Sequence, residues 1–189
     1  QRIPGLRTII FDKDQGLRSV IAALGGDYAQ IKVGQATGLN PFYTETAARM
    51  DPGARARGEA WLLDWLKALI ERKKPLSTLQ ELELKEAVRK VAHAPDELKN
   101  FDDFVSLIGS ANDDRDLAMR ISEWDSNGQY RWVFGEADRQ VVDFERNNVI
   151  GIDMTEVLDH PAERTAILSY IFRRMELMFE DRVPTLVII

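Results

Sequence analysis

The last five residues of the chain constrain its fold more than any other feature. Thr185 is followed by four aliphatic residues, and apolar and polar residues do not alternate along this stretch. A strand with one exposed face alternates, whereas a strand buried on both faces is apolar without a break. We therefore predict a parallel strand at residues 185–189, inside a sheet that is covered on both sides.

A second strand-like run, residues 6–11, lies close to the other end of the sequence. The termini of most domains are exposed and loosely held, and a buried strand at each end departs from that pattern. We therefore expect the sequence to be a segment of a larger α/β protein. The alternative is a small domain whose final strand lies at a covered edge of its sheet.

The first part of the chain predicts a strand, a helix and a second strand. Residues 8–11 have the pattern of a strand, residues 17–24 that of a short helix that ends at Gly25 and Gly26, and residues 28–33 that of the next strand. Strands joined through a helix pair in parallel, by a right-handed crossover.

Three charged residues, Asp12, Lys13 and Asp14, follow the first strand directly. In open α/β sheets the carboxyl ends of the strands form the edge at which ligands bind. We hypothesise that these charges contact a phosphate or organise a magnesium-bound water. The alternative is a solvated loop at the end of the strand.

The middle of the chain predicts helices, and strands return after it. Apolar residues at helical spacing mark a long helix, and Ser77 with Gln80 offers a capping box for the next one. Residues 130–134 and 140–144 are predicted to pair as a β-hairpin, before a further strand at 149–153. We divide the chain into three parts: a strand–helix–strand core part (1–53), a helical insertion (54–124), and a part with the hairpin, a periodic helix and the final core strand (125–189).

Composition excludes several kinds of site. The chain has no cysteine, which excludes disulfide scaffolds, zinc ribbons, iron–sulfur clusters and thiol nucleophiles. His93 and His160 lack the spacing of metal ligands, so we predict no metal site within the chain. No apolar run approaches the roughly 20 residues of a membrane span. The net charge of -6 argues against a duplex-DNA binder that relies on overall charge, and the G-x-x-x-x-G-K-S/T motif of a phosphate-binding loop is absent.

Six short motifs occur in an order that is more specific than any one of them. They are residues 8–14 (TIIFDKD), 23–28 (ALGGDY), 38–42 (GLNPF), 130–135 (YRWVFG), 151–159 (GIDMTEVLD) and 170–176 (YIFRRME). In this order they resemble the large ATPases of type IV secretion and conjugal-transfer systems, the CagE/TrbE/VirB family. The resemblance covers nearly the whole chain.

The resemblance implies a fold and an activity. The fold is α/β: part of the RecA-like sheet of a P-loop NTPase, with a helical insertion and an added β-hairpin. The activity is ATP hydrolysis with Mg²⁺, by a homo-hexameric motor that drives substrate transport or apparatus assembly. Such a motor is expected at the cytoplasmic face of the bacterial inner membrane. Its implied partners are inner-membrane channel proteins and a transported DNA–protein complex or effector protein.

The resemblance places the catalytic groups outside this chain. In this family the strand that residues 184–189 resemble leads directly into an acidic pair that binds magnesium and catalyses hydrolysis. That pair is therefore expected just after Ile189, and the phosphate-binding loop just before Gln1. No catalytic residue is expected within the chain. For the chain alone we expect no ATPase activity, no tight binding of ATP or Mg²⁺, and a tendency to associate through unpaired strand edges.

The resemblance also suggests roles for individual residues. Asp12, Lys13 and Asp14 are predicted to lie beside the nucleotide cleft. Arg173 and Arg174 are candidates for a subunit interface, and a salt bridge on the helix surface is the alternative for both. At the level of the whole chain, the alternative to a motor segment is a non-enzymatic α/β interaction module whose helical block binds partner proteins.

Overall fold

A parallel sheet forms the core of one of two compact units in the computed structural model, which describes residues 5–47, 50–72, 74–109 and 115–189. This first unit comprises the chain up to Leu39 and from Glu136 to Ile189. Its strands are β1 (Arg7–Asp12), β2 (Asp27–Gln30), β3 (Val149–Asp153) and β4 (Thr185–Ile188). Their order is β2-β3-β1-β4, and all neighbouring pairs are parallel.

Helices lie on both faces of this sheet. Helix α1 (Arg18–Ala23) packs on one face, where a Cβ added to Gly151 of β3 would lie 2.2 Å from the Ile21 side chain. The other face carries the long helix that precedes β4 (Pro161–Phe179, labelled α7 below), whose Phe172 ring lies 5.6 Å from that of Phe11 in β1. The predicted α/β class with a parallel sheet is therefore confirmed.

Strand β4 forms where it was predicted, but one of its faces is exposed and the other is half-buried. Leu186 is 47% exposed and Ile188 is 42% exposed, and both point to the same side. Helix α1 is six residues long and packs over β3, so it does not extend across β1 to cover β4. The prediction that this strand is buried on both faces is wrong for that reason.

The predicted β-hairpin at residues 130–134 and 140–144 does not form. Both stretches consist of turns and bends. The backbone N–H of Val141 donates to the Thr37 carbonyl at 2.7 Å, and that of Tyr130 donates to Glu123 at 2.7 Å. The two arms of the expected hairpin therefore donate backbone hydrogen bonds to Thr37 and Glu123 instead of to each other.

In the described residues of the second unit, Asn40–Gly135, all regular structure is helical. Its residues supply the predicted capping box, since the Ser77 hydroxyl accepts from the Gln80 N–H and the Gln80 side chain accepts from the Ser77 N–H. The helices are α2 (Pro41–Thr46), α3 (Pro52–Ile70), α4 (Thr78–Ala92), a 3₁₀ turn (Asp96–Leu98), α5 (Phe101–Ser106) and α6 (Asp116–Ser122).

Aromatic rings and one buried lysine hold this helical unit together. The Arg72 guanidinium lies 5.2 Å from the Trp124 ring and 5.0 Å from the Tyr130 ring, within the range of cation–π attraction. Lys99 is 1% exposed, and its ammonium donates to the Thr46 carbonyl and the Asp96 carboxylate. A search of the described helices for one long and apolar enough to cross a bilayer finds none.

Replacing Gly151 by alanine tests the packing of α1 on β3. The added methyl group would lie 2.2 Å from Ile21 and 2.7 Å from the Tyr28 ring, so both side chains must move. Overpacking of this kind costs about 1–3 kcal/mol of the free energy of unfolding, which urea titration measures. The matched control is Gly16→Ala, whose methyl group meets only Asp12 Oδ1 at 3.9 Å. Equal effects of the two substitutions would contradict the packing described.

Candidate functional site

Three strands end side by side at the carboxyl edge of the sheet. Asp12 of β1 is in register with Asp153 of β3, which is in register with Gln30 of β2. Side chains in the same row of a parallel sheet point to the same face, so these polar groups project together at the edge where α/β proteins bind ligands. We refer to this set as the carboxyl-edge cluster.

Asp12 is the buried anchor of the cluster. It is 6% exposed, and its Oδ2 accepts hydrogen bonds from the Tyr28 hydroxyl at 2.6 Å and from the Leu17 N–H at 3.0 Å. Burial, followed by this hydrogen bond to a carboxylate, raises the pKa of Tyr28 above its ordinary value. The phenol therefore remains protonated and donates to Asp12 throughout the physiological range of pH.

Asp153 is held by the turn that follows β3. Its Oδ1 accepts from the hydroxyl and the N–H of Thr155, and its Oδ2 accepts from the Gln30 amide at 3.3 Å. Burial acts to raise the pKa of Asp153, but the hydrogen bonds from Thr155 and Gln30 outweigh it and hold the pKa below its ordinary value. Asp153 is therefore a stable carboxylate.

The loop after β1 separates the three predicted charges. Asp14 and Gln15 have φ values of 64° and 59°, a left-handed conformation in which the chain turns sharply. The Asp14 N–H donates to the Thr155 hydroxyl at 2.8 Å, which ties this loop to the turn after β3. Lys13 and Asp14 are exposed while Asp12 is buried, so the three residues do not act as one charged group.

Donors of the protein itself hydrogen-bond to the carboxylates at this edge of the sheet. The carboxylates of Asp12 and Asp153 accept hydrogen bonds from protein donors, and that of Glu156 accepts from the Val33 N–H at 3.0 Å. In the part of the chain that the structure describes, no three histidine, aspartate or glutamate side chains converge as metal ligands do. Lys13, in the loop after β1, is exposed.

Sequence reasoning found Asp12 but missed its partners. The register of β1, β2 and β3 brings four further residues next to Asp12, and this register is not evident from the sequence: Tyr28, Gln30, Asp153 and Thr155. The sequence did contain one signal for the residues after β3. Asp153 ends a predicted strand and Thr155 follows two residues later, a pattern that is typical of a hydrogen-bonded turn.

The two arginines lie away from the carboxyl-edge cluster, on α7. Arg173 pairs with Glu176 at 3.4 Å, and Arg174 pairs with Glu145 at 3.6 Å. Arg174 also lines a cavity with Arg7, at the start of β1, so a strand length of about 20 Å separates it from the edge at which Asp12 lies. Surface salt bridges, the alternative, are present for both arginines, and an interface role stays a prediction.

The amino-acid sequence of this chain is similar to those of known type IV secretion proteins. No family model matches the sequence. The type IV secretion system protein PtlC of Bordetella pertussis is 33% identical over 187 residues, and the type IV secretion system protein virB4 of Brucella abortus is 32% identical over 190 residues. Each alignment covers 94% of this chain. The chain belongs to the VirB4/PtlC family of type IV secretion proteins. The family resemblance carried by the six motifs is confirmed.

A solved VirB4 structure has the same fold. The structure of VirB4 of Thermoanaerobacter pseudethanolicus matches with a TM-score of 0.70, over 97% of this chain and 52% of that chain, at 14% identity. This likeness confirms the fold as part of a RecA-like α/β structure with a helical block. The chain spans about a fifth of the curated VirB4/PtlC relatives, 22% of their length.

The hydrogen bond from the Thr155 hydroxyl to Asp153 is expected to stabilise the fold by an amount that depends on pH. Because the folded pKa of Asp153 is lowered, its hydrogen bonds stabilise the fold fully above the unfolded aspartate pKa of about 3.9 and are lost as pH falls through the folded pKa. Thr155→Val should therefore lower the free energy of unfolding by about 1–2 kcal/mol near pH 7. The loss should shrink toward about pH 3, as followed by urea titration at each pH.

The control for this prediction is Thr165→Val. The Thr165 hydroxyl donates to the Pro161 carbonyl, which does not titrate, so its loss should cost the same at every pH. A cost of Thr155→Val that is also constant with pH would show that its hydroxyl does not stabilise the Asp153 carboxylate.

Proposed function

We propose that this chain is part of the ATPase domain of a type IV secretion or conjugal-transfer motor, in which ATP hydrolysis drives substrate transport or apparatus assembly. Membership of a family of type IV secretion proteins supports the secretion role. The position of the carboxyl-edge cluster supports the proposal that this edge of the sheet faces the nucleotide, because parallel α/β sheets bind their ligands at the carboxyl ends of their strands. The same membership favours a motor segment over a free-standing interaction module.

The proposed role of Asp12, Lys13 and Asp14 is to shape the loop beside the nucleotide. Asp12 acts as a positioning residue. Its carboxylate accepts hydrogen bonds from the Leu17 N–H, at the start of α1, and from the Tyr28 hydroxyl, in β2, and so fixes the loop after β1 and the helix that follows it. Asp14 holds the loop to Thr155 through its backbone. Lys13 is the exposed group whose ammonium is free to approach a phosphate. ATP and Mg²⁺ are proposed to bind mainly through residues outside this segment.

The motor is proposed to work as a homo-hexamer at the cytoplasmic face of the inner membrane. Its proposed partners are further copies of the same protein, inner-membrane channel proteins, and the DNA–protein complex or effector protein that is transported. Within this segment, the open face of β4, with Leu186 and Ile188 exposed, is a surface that association would cover.

Substitution of Lys13 tests the proposal in the full-length protein. Lys13→Ala should lower kcat/KM for ATP by about tenfold or more, because removal of one charge that contacts a phosphate weakens transition-state stabilisation. The matched control is Lys90→Ala, an exposed lysine on α4, which should leave the rate unchanged. The measurement is steady-state phosphate release.

Two results would contradict the proposal. One is an ATPase rate that Lys13→Ala and Lys90→Ala leave equally intact. The other is ATP turnover by residues 1–189 alone, since the proposal assigns the phosphate-binding and catalytic groups to other parts of the protein.

A further inference from the structure

A cavity of about 600 Å³ opens at the amino edge of the sheet, the edge opposite to the carboxyl-edge cluster. It lies within the first unit, between the start of β1, the residues that lead into β3, and the last turns of α7. Its volume falls in the range of roughly 300–1,000 Å³ that is typical of ligand pockets. None of the residues discussed for the nucleotide edge contributes to it.

Three arginines, Arg7, Arg146 and Arg174, line the cavity; we call it the arginine pocket. Arg174 lies 3.6 Å from Glu145, and Arg146 lies 3.6 Å from Asp27, which is next to the pocket. Both separations exceed the usual length of a hydrogen bond, so these two guanidiniums are held by loose ion pairs only.

The pocket contains one buried donor that has no hydrogen-bond partner among the described residues. Among the described residues, Arg7 Nη1 is buried without a hydrogen-bond partner, although its other terminal nitrogen donates to Asp181. Asp27 Oδ2 is likewise buried and accepts no hydrogen bond within the described residues; its ion pair with Arg146 is 3.6 Å long. A guanidinium carries five N–H donors, and buried donors are normally paired. The pocket therefore has hydrogen-bonding capacity for an incoming acceptor.

Charge favours a carboxylate over a phosphate as that acceptor. The three arginines already face the carboxylates of Glu145, Asp181 and Asp27, so a dianion would leave the pocket strongly negative. The negative end of the α7 dipole also lies here, because α7 ends at Phe179. A carboxylate that replaces Glu145, whose side chain is 80% exposed, keeps the charges balanced.

The rest of the lining consists of two asparagines, Asn147 and Asn148, and three apolar side chains, which add a second requirement. Phe144 is 5% exposed, and Leu177 and Met178 are half-buried on α7. Such side chains offer contact to an aliphatic group next to the carboxylate. A ligand that combines one negative charge with an apolar neighbour matches the arginines and the apolar side chains of the lining, and an acidic peptide segment has this composition.

We propose that the arginine pocket binds the carboxylate of an acidic segment of a partner protein, with an aliphatic neighbour on Phe144, Leu177 and Met178. Arg174 exchanges the Glu145 carboxylate for that of the partner. This inference is independent of the nucleotide edge and of ATP hydrolysis.

The test is fluorescence anisotropy with the full-length protein and a labelled peptide that alternates leucine and glutamate, at low ionic strength. Arg174→Gln should weaken binding by about tenfold, the effect of losing one hydrogen bond to a charged group. Glu145→Gln should instead tighten binding several-fold, because the competing internal carboxylate is gone. Opposite effects of two neighbouring substitutions separate a binding role from a loss of folding.

Two controls complete the experiment. Arg131→Gln removes an exposed arginine of the other unit and should leave affinity unchanged. A peptide with glutamine in place of glutamate should not bind. The proposal is overturned if the glutamine peptide binds equally well, if inorganic phosphate displaces the glutamate peptide, or if Glu145→Gln fails to tighten binding.

Discussion

The hydrogen bonds accepted by the Asp12 carboxylate organise the carboxyl edge of the sheet. One bond comes from the N–H of Leu17, at the start of α1, and the other from the Tyr28 hydroxyl in β2. Asp12 therefore connects β1 to the next helix and the next strand in the chain. The loop with Lys13 and Asp14 is held between this anchor and Thr155, and its shape depends on both.

The polar groups at the two edges of the sheet differ in how fully they are hydrogen-bonded. At the carboxyl edge, the buried carboxylates of Asp12 and Asp153 are satisfied by donors from neighbouring strands and turns. At the amino edge, three arginines face three carboxylates, and Arg7 Nη1 is buried without a hydrogen-bond partner among the described residues. A closed hydrogen-bond network suits a structural role, whereas unsatisfied donors suit a ligand. The sheet thus positions a hydrogen-bonded loop at its carboxyl edge and a pocket with an unpaired donor at its amino edge.

Local sequence patterns predicted most helices and strands, whereas features that depend on contacts between distant residues could not be predicted from them. The apolar runs placed β1, β3 and β4, and the Ser77 capping box placed the start of α4. The hairpin prediction failed because the backbone of residue 141 pairs with Thr37, a contact that no local pattern encodes. For the same reason Asp12 was found as a candidate, while Asp153, 141 residues away from it along the chain, was recognised only through the strand register.

Hydrogen exchange in the full-length protein tests most directly whether the carboxyl edge faces the nucleotide. Addition of Mg²⁺ with a non-hydrolysable ATP analogue should slow amide exchange in residues 12–17 and 153–157, the two segments that the Asp14–Thr155 hydrogen bond joins. Residues 144–148, at the amino edge, should exchange at an unchanged rate. Slower exchange at the amino edge, with no change in residues 12–17, would contradict the account.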